Sequence, residues 1–194
     1  MNPLWQNALD SYSELRKILA QDVLQVRTQL DADFQSQLAR RNYIRTLFAM
    51  IEGDTFGRKQ VALIVYEYWL PSRTIFTPAE LVLLREEQYF LDDTGRAKQR
   101  ELFLKIEPNL RFSLTSYGKA YSSLYPKATI NTKLAWSVGE RDVFRKLIRC
   151  RNRITHPKRA CDLHITDDEV NKADAVLLWY SESVSPLMDK SPRG

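Results

Sequence analysis

The segment RNRITHPK, residues 151–158, puts an arginine, an asparagine and a histidine within six positions and breaks off at a proline. These side chains can do phosphate chemistry. An imidazole titrates near neutrality and can give or take a proton, and a guanidinium forks onto phosphate oxygens. An amide beside an imidazole can fix which ring nitrogen carries the proton. Asn152 and His156 are four apart and share a face if the segment is helical. Arg151 and His156 are five apart, about 140° around a helix. Their convergence on one atom needs the reach of the arginine, or a second copy of the helix across a two-fold axis.

The segment closes a stretch of unusual charge. Residues 141–160 hold eight Lys/Arg and one Asp, a net of +7, whereas the rest of the chain carries 21 basic and 23 acidic residues. A local basic patch attracts phosphate-bearing partners, although a charged run can also be a solvated helix face. At about 100° per residue with Phe144 at zero, Leu147 falls near −60°, Ile148 near +40° and Ile154 near −80°. Arg151 falls near −20°, inside that apolar stripe. An unpaired buried charge is costly, so Arg151 needs a carboxylate partner, for which Glu52 is the candidate, or its line faces a cleft or a subunit seam. Arg141, Arg145, Arg149 and Arg153, spaced by four, form a separate basic face. The plainer reading of His156 is a helix C-cap donor or a favourable dipole partner.

The elements that must position these residues read as helices. Trp5, Leu9, Tyr12, Leu15, Leu19, Val23, Val26 and Leu30 recur at helical steps over residues 3–30. Residues 34–70 form a second apolar-periodic segment that Gly53 and Gly57 could kink or split and that Pro71 ends. Thr77-Pro78-Ala79-Glu80 is a capping box with proline at the first helical position and predicts a helix over about 78–90. Asp92–Gly95 reads as a turn, 96–107 as either a short helix or a hairpin arm, 112–124 as helix and 126–138 as loop. The motif helix runs from about 140 to 156, within a motif and basic region at 136–160. Thr166 and Glu169 open a last helix, and 187–194 reads as a frayed tail.

The bulk numbers agree with one soluble domain over 1–194. Hydrophobic residues make up 44% and charged residues 27%, and 6 glycines with 8 prolines are too few for a turn-rich sandwich or barrel. Cys150 and Cys161 give neither a disulfide framework nor zinc spacing, so a reducing compartment and no metal or cofactor are expected. No signal peptide is visible at MNPLWQNALD, and the longest apolar run, VALIVY, is six residues. The expectation is a cytoplasmic all-α single-domain helical bundle without a membrane span.

On these residues the chain resembles the HEPN superfamily (higher eukaryotes and prokaryotes nucleotide-binding). That family carries an arginine, a polar residue and then a histidine on a late helix of an all-α bundle, here Arg151-Asn152-x3-His156, with an acidic residue in an earlier helix, here Glu52 in AMIEGD. The resemblance is loose over about 10–180, and residues 71–135 carry nothing that matches it. It implies a metal-independent RNA endonuclease working as a homodimer with a composite site, in a toxin or phage-defence role, with RNA and an antitoxin or regulatory protein as partners. His156 would handle the proton of the ribose 2′-OH or of the leaving 5′-oxygen. Arg151 would hold the scissile phosphate, and Asn152 would orient His156. Glu52 would complete the site, and Arg145, Arg149, Arg153, Lys158 and Arg159 would line the RNA path. General acid–base help of this kind is worth roughly 10²- to 10⁴-fold. His164, in the loop after the motif, is a further candidate.

Two other readings stay open. One is a HEPN-like module that binds RNA, nucleotides or a protein without cleaving. The other is a basic helical scaffold or DNA-binding regulator, though no helix-turn-helix precedes the basic helix. A basic face alone predicts steep salt dependence without cleavage.

Overall fold

The computed structural model describes residues 3–69, 75–85, 89–91, 97–99, 105–125 and 136–184. The elements are α1 (Pro3–Ala32), α2 (Gln37–Trp69), α3 (Pro78–Leu84), β1 (Tyr89–Leu91), β2 (Ala97–Gln99), α4 (Ile106–Leu124), α5 (Val138–Thr155) and α6 (Asp167–Ser183), with a 3-10 turn at Ala160–Leu163. The helical architecture expected from the apolar periodicity is present. The exception among the described residues is one antiparallel pair, β1 with β2, in the register Tyr89 to Gln99, Phe90 to Lys98 and Leu91 to Ala97.

Several local expectations change. The helix opened by Thr77 stops at Leu84 rather than near 90, with Arg85 as its C-cap and β1 beginning at Tyr89. Of the two readings of 96–107, the hairpin arm is the one seen at Ala97–Gln99, while α4 begins at Ile106 rather than 112. Helix α2 is not split at Gly53 or Gly57. Gly57 is there for space: a Cβ at that position would lie inside the van der Waals envelope of the Tyr12 ring. The expected breaker Pro71, the turn at 92–95, most of the 126–138 loop and the tail at 187–194 lie outside the described residues.

The chain forms two compact units, residues 1–15 with 52–133 and residues 16–51 with 134–194. Both long helices run through both units, so neither unit is a contiguous stretch of sequence.

The first unit buries Tyr12, Val61, Ala62, Val65, Phe76, Leu84, Leu110, Leu114 and Tyr117. It also buries an unusual amount of charge: Asp54, Arg58, Lys59 and Glu107 are all 7% exposed or less. Arg58 Nη1 lies 3.1 Å from Asp54 Oδ2, and the Tyr12 hydroxyl donates to the other oxygen of Asp54. A carboxylate bonded on both sides is the condition under which such a charge can be buried. Tyr12, Phe56, Gly57, Gln60 and Ile64 are among the residues that line a groove of about 360 Å³ in this unit.

In the second unit, α5 packs on α6. Its core joins Leu30, Ile44, Leu47, Phe48 and Ile51 to Phe144, Leu147, Ile154, Val170, Val176 and Trp179. Trp136 stacks on Trp179 with ring centroids 4.3 Å apart, and Phe144 lies against both rings. Arg27 and Tyr43 both donate to Asp174, tying α1 and α2 to α6. Among the described residues, no helix is long and apolar enough to cross a membrane.

Candidate active site at the end of α5

Helix α5 is fixed at both ends. Ser137 caps its start by a full capping box, accepting from the Glu140 N–H while its own N–H donates to the Glu140 side chain. This signal lies within the stretch 126–138 that the sequence predicts as loop. At the other end the helix stops at Thr155, and His156 turns out of it at φ −126°, ψ 60°, while its N–H still donates to the Asn152 carbonyl at 3.0 Å. Pro157 cannot continue the ladder.

The buried line of α5 is Phe144, Leu147, Cys150 and Ile154. Ile148, which the helical projection had placed on the stripe, is half-exposed. With Cys150 in and Ile148 out, the centre of burial moves to about −65° on the same projection, and Arg151 sits at its flank. Arg151 is accordingly half-exposed, not enclosed. Its Nη1 donates to Asn152 Oδ1 at 3.1 Å.

His156 is exposed, and its imidazole meets no hydrogen-bonding or charged side chain among the described residues. Asn152 was expected to orient it, but the amide oxygen serves Arg151 instead. The reason is local geometry. The four-residue face holds only while both residues are helical, and His156 is already outside.

Glu52 lies in α2 within the first unit and is half-buried. Arg145 and Arg149 are exposed on α5, and Lys158 follows on the exposed turn after it. Arg159, 77% exposed, faces Asp162 at 3.6 Å. His164 caps the 3-10 turn and is exposed as well. The structure thus gathers Arg149, Arg151, Asn152, His156, Lys158 and Arg159 on the last two turns of one helix and the loop that leaves it.

Arg153 behaves differently from its basic neighbours. Its Nη1 donates to the carbonyls of Asp162 at 2.9 Å and His164 at 2.8 Å, and its Nη2 donates to Glu169 Oε1 at 2.7 Å. Burial works hardest against the Arg153 charge, but the bond to Glu169, the Glu169 charge and Cys150 together outweigh it, and the guanidinium pKa ends above its ordinary value. Burial also pushes the Cys150 thiol up to about 12, with the Glu169 charge adding to the shift. A thiol so placed is not a ready nucleophile.

Sequence reasoning missed the residues of α2 that hold the loop after His156. Arg45 Nη2 donates to the Ile154 carbonyl at 2.7 Å, Arg41 to Leu163 O at 3.0 Å and Arg40 to Ile165 O at 2.8 Å. Gln37 brackets Ile165, donating to its carbonyl and accepting from its N–H. A signal was present, because Arg40 heads the helical row Ile44, Leu47, Ile51, where an arginine must have a buried partner. Among the described residues, no group of three or more His, Cys, Asp or Glu side chains is placed to hold a metal ion. Comparison of the chain with protein-family models, with curated proteins and with solved structures finds no match.

Proposed function

We propose that the chain is a metal-independent endoribonuclease of the HEPN type, acting in the cytoplasm as a homodimer in a toxin or phage-defence role. The observation that carries this reading is His156: an exposed imidazole that meets no partner among the described residues, on a backbone held by helix and loop contacts, five residues beyond a half-exposed arginine in the most basic part of the chain. Binding and catalytic residues lie disproportionately on loops that a rigid scaffold positions, and the loop bearing His156 is such a loop.

The chemistry needs only these side-chain types. A base removes the proton of a ribose 2′-OH, whose oxygen attacks the adjacent phosphorus. The bond to the 5′-oxygen breaks, and that oxygen leaves protonated. The products are a 2′,3′-cyclic phosphate and a 5′-hydroxyl. His156 supplies the proton transfer and Arg151 the charge that steadies the phosphorane. In a two-fold dimer the second copy provides the complementary acid or base. Arg145, Arg149, Lys158 and Arg159 hold the RNA backbone.

The test is cleavage of a mixed RNA pool by purified protein in EDTA. His156→Ala is expected to lose roughly 10²- to 10⁴-fold in rate, and Arg151→Ala about 10²- to 10³-fold, with unchanged circular dichroism and oligomeric state. Cleavage that survives both substitutions sinks the proposal. A second reading, a non-catalytic RNA- or protein-binding module, is favoured by one observation: the Asn152 amide oxygen is committed to Arg151 rather than to His156. Well-folded wild type that binds RNA in EDTA but never cleaves it would select that reading.

A further inference from the structure

The loop from Ile154 to Ile165 is held almost entirely through its backbone. The last carbonyls of a helix have no intrahelical partner, so its C-terminal turn is where fraying starts. In α5 the Arg151 carbonyl takes the Thr155 hydroxyl at 2.7 Å and the Ile154 carbonyl takes Arg45. Past His156, the Asp162 carboxylate accepts the N–H groups of Lys158 at 2.9 Å and Arg159 at 3.0 Å. Arg153 then ties the carbonyls of Asp162 and His164, and Glu169 holds Arg153 while its own Oε2 accepts from the Thr166 N–H at 3.1 Å. The side chains of His156, Lys158, Arg159 and His164 are left exposed on this fixed frame.

We infer that Arg153, with Arg45, is a positioning residue that fixes the loop bearing His156, and that it does not contact RNA. The inference rests on the nuclease reading for its catalytic consequence only. Both terminal nitrogens of Arg153 are committed within the protein, at 2.7–2.9 Å from their oxygen partners. A planar guanidinium suits this work, because one nitrogen reaches two carbonyls while the other meets a carboxylate. Arg149, exposed one turn earlier, makes no such bonds among the described residues and would be the matched phosphate contact.

Arg153→Ala is expected to lower kcat by about 10- to 100-fold, the scale of a small misplacement of a reacting group, with KM for RNA and the salt slope of binding unchanged. Arg149→Ala should do the reverse, raising KM and lowering the slope by about 0.7, one phosphate on a single strand. Amide exchange at 156–164 should speed up in Arg153→Ala while core amides of α2 and α6 keep their rates. Arg45→Met removes one bond to the helix end and serves if Arg153→Ala does not fold; the same split is expected, in smaller measure. A raised KM with a reduced slope in Arg153→Ala would overturn the inference. So would faster exchange throughout the chain with kcat intact, the mark of a merely structural residue. If wild type does not cleave RNA, the nuclease reading fails by itself. The positioning role then stands or falls on local exchange and on the imidazole NMR signal of His156, narrow in wild type and averaged in the variant if Arg153 positions it, unchanged if it does not.

Discussion

At the residue scale the site depends on which partner each polar group has already taken. Arg151 and Asn152 are joined, and His156 is not part of that pair. On the proposed nuclease reading, Asn152 would act on the reaction through Arg151, by holding the guanidinium in one direction. Asn152→Ala is expected to lower kcat several-fold, with Tm unchanged, because an exposed side chain away from the core contributes within about 0.5 kcal/mol. Single-turnover cleavage and thermal unfolding on the same samples check this. A variant that retains full kcat would leave Asn152 without a role. The residue types and their spacing were legible in RNRITHPK, and so was the concentration of charge around it. The assignment of roles was not fully legible. A helical projection assumes that the helix continues through His156 and that Ile148 is buried, but the helix stops at Thr155 and Ile148 is half-exposed. Nor could spacing alone tell Arg153 from Arg149. They are one turn apart and differ in whether Glu169 and two loop carbonyls lie within reach.

At the element scale, among the described residues, capping boxes set three α-helix starts, at Thr77, Ser137 and Thr166. Two were read from sequence because a threonine stood before an acidic residue at the third helical position. The third, at Ser137, was overlooked inside a stretch taken as loop. Ser137→Ala removes an oxygen that accepts the Glu140 N–H at 3.2 Å. The expected cost is about 1 kcal/mol, seen as a Tm lower by about 2–4 °C for a chain of this size. An unchanged Tm would mean that the packing of Trp136 and Phe144, not the cap, sets the start of α5. Helix α2 teaches the opposite lesson about glycine. Propensity alone makes Gly57→Ala stabilising by about 1 kcal/mol in a helix interior. The Tyr12 ring against Gly57 reverses the sign, because its hydroxyl is anchored on buried Asp54 and the ring cannot swing away. Gly57→Ala is expected to destabilise by about 1–3 kcal/mol, the range for overpacking. Chemical denaturation would show it, and a stabilised variant would contradict the packing described for the first unit. Nothing in the local sequence reports that contact, since Tyr12 and Gly57 lie on different helices. The hairpin β1–β2 was legible on one side only: a hairpin arm was among the readings of 96–107, but three-residue β1 carries too short an alternation to stand against the helix that the Thr77 capping box opens.

At the scale of the whole molecule, charge distribution joins stability to the site. The loop that carries His156 is fastened by carboxylates whose pKa values the fold lowers. Burial alone would raise the pKa of Glu169, but the Thr166 N–H and the Arg153 pair outweigh it and hold the group below the ordinary carboxylate range. Asp162 is lowered chiefly by the Lys158 N–H. Both groups are depressed in the folded state, so the stability they contribute is complete above the unfolded carboxylate value of about 4.5 and is lost as pH falls through the lower folded values. Acidification should therefore loosen residues 156–166 through these two groups, whereas the apolar core of the second unit has no carboxylate to protonate in its Phe144–Trp179 cluster. Glu169→Gln tests the sign. The variant should be less stable than wild type near neutrality, and the gap in Tm should narrow as pH is lowered to about 4, because wild type is then losing the charge that the variant never had. A gap that widens with acid would mean that Glu169 is protonated in the native protein at neutral pH, and the fastening of the His156 loop would have to be assigned to Asp162, Arg153 and the α2 side chains without the Glu169 charge.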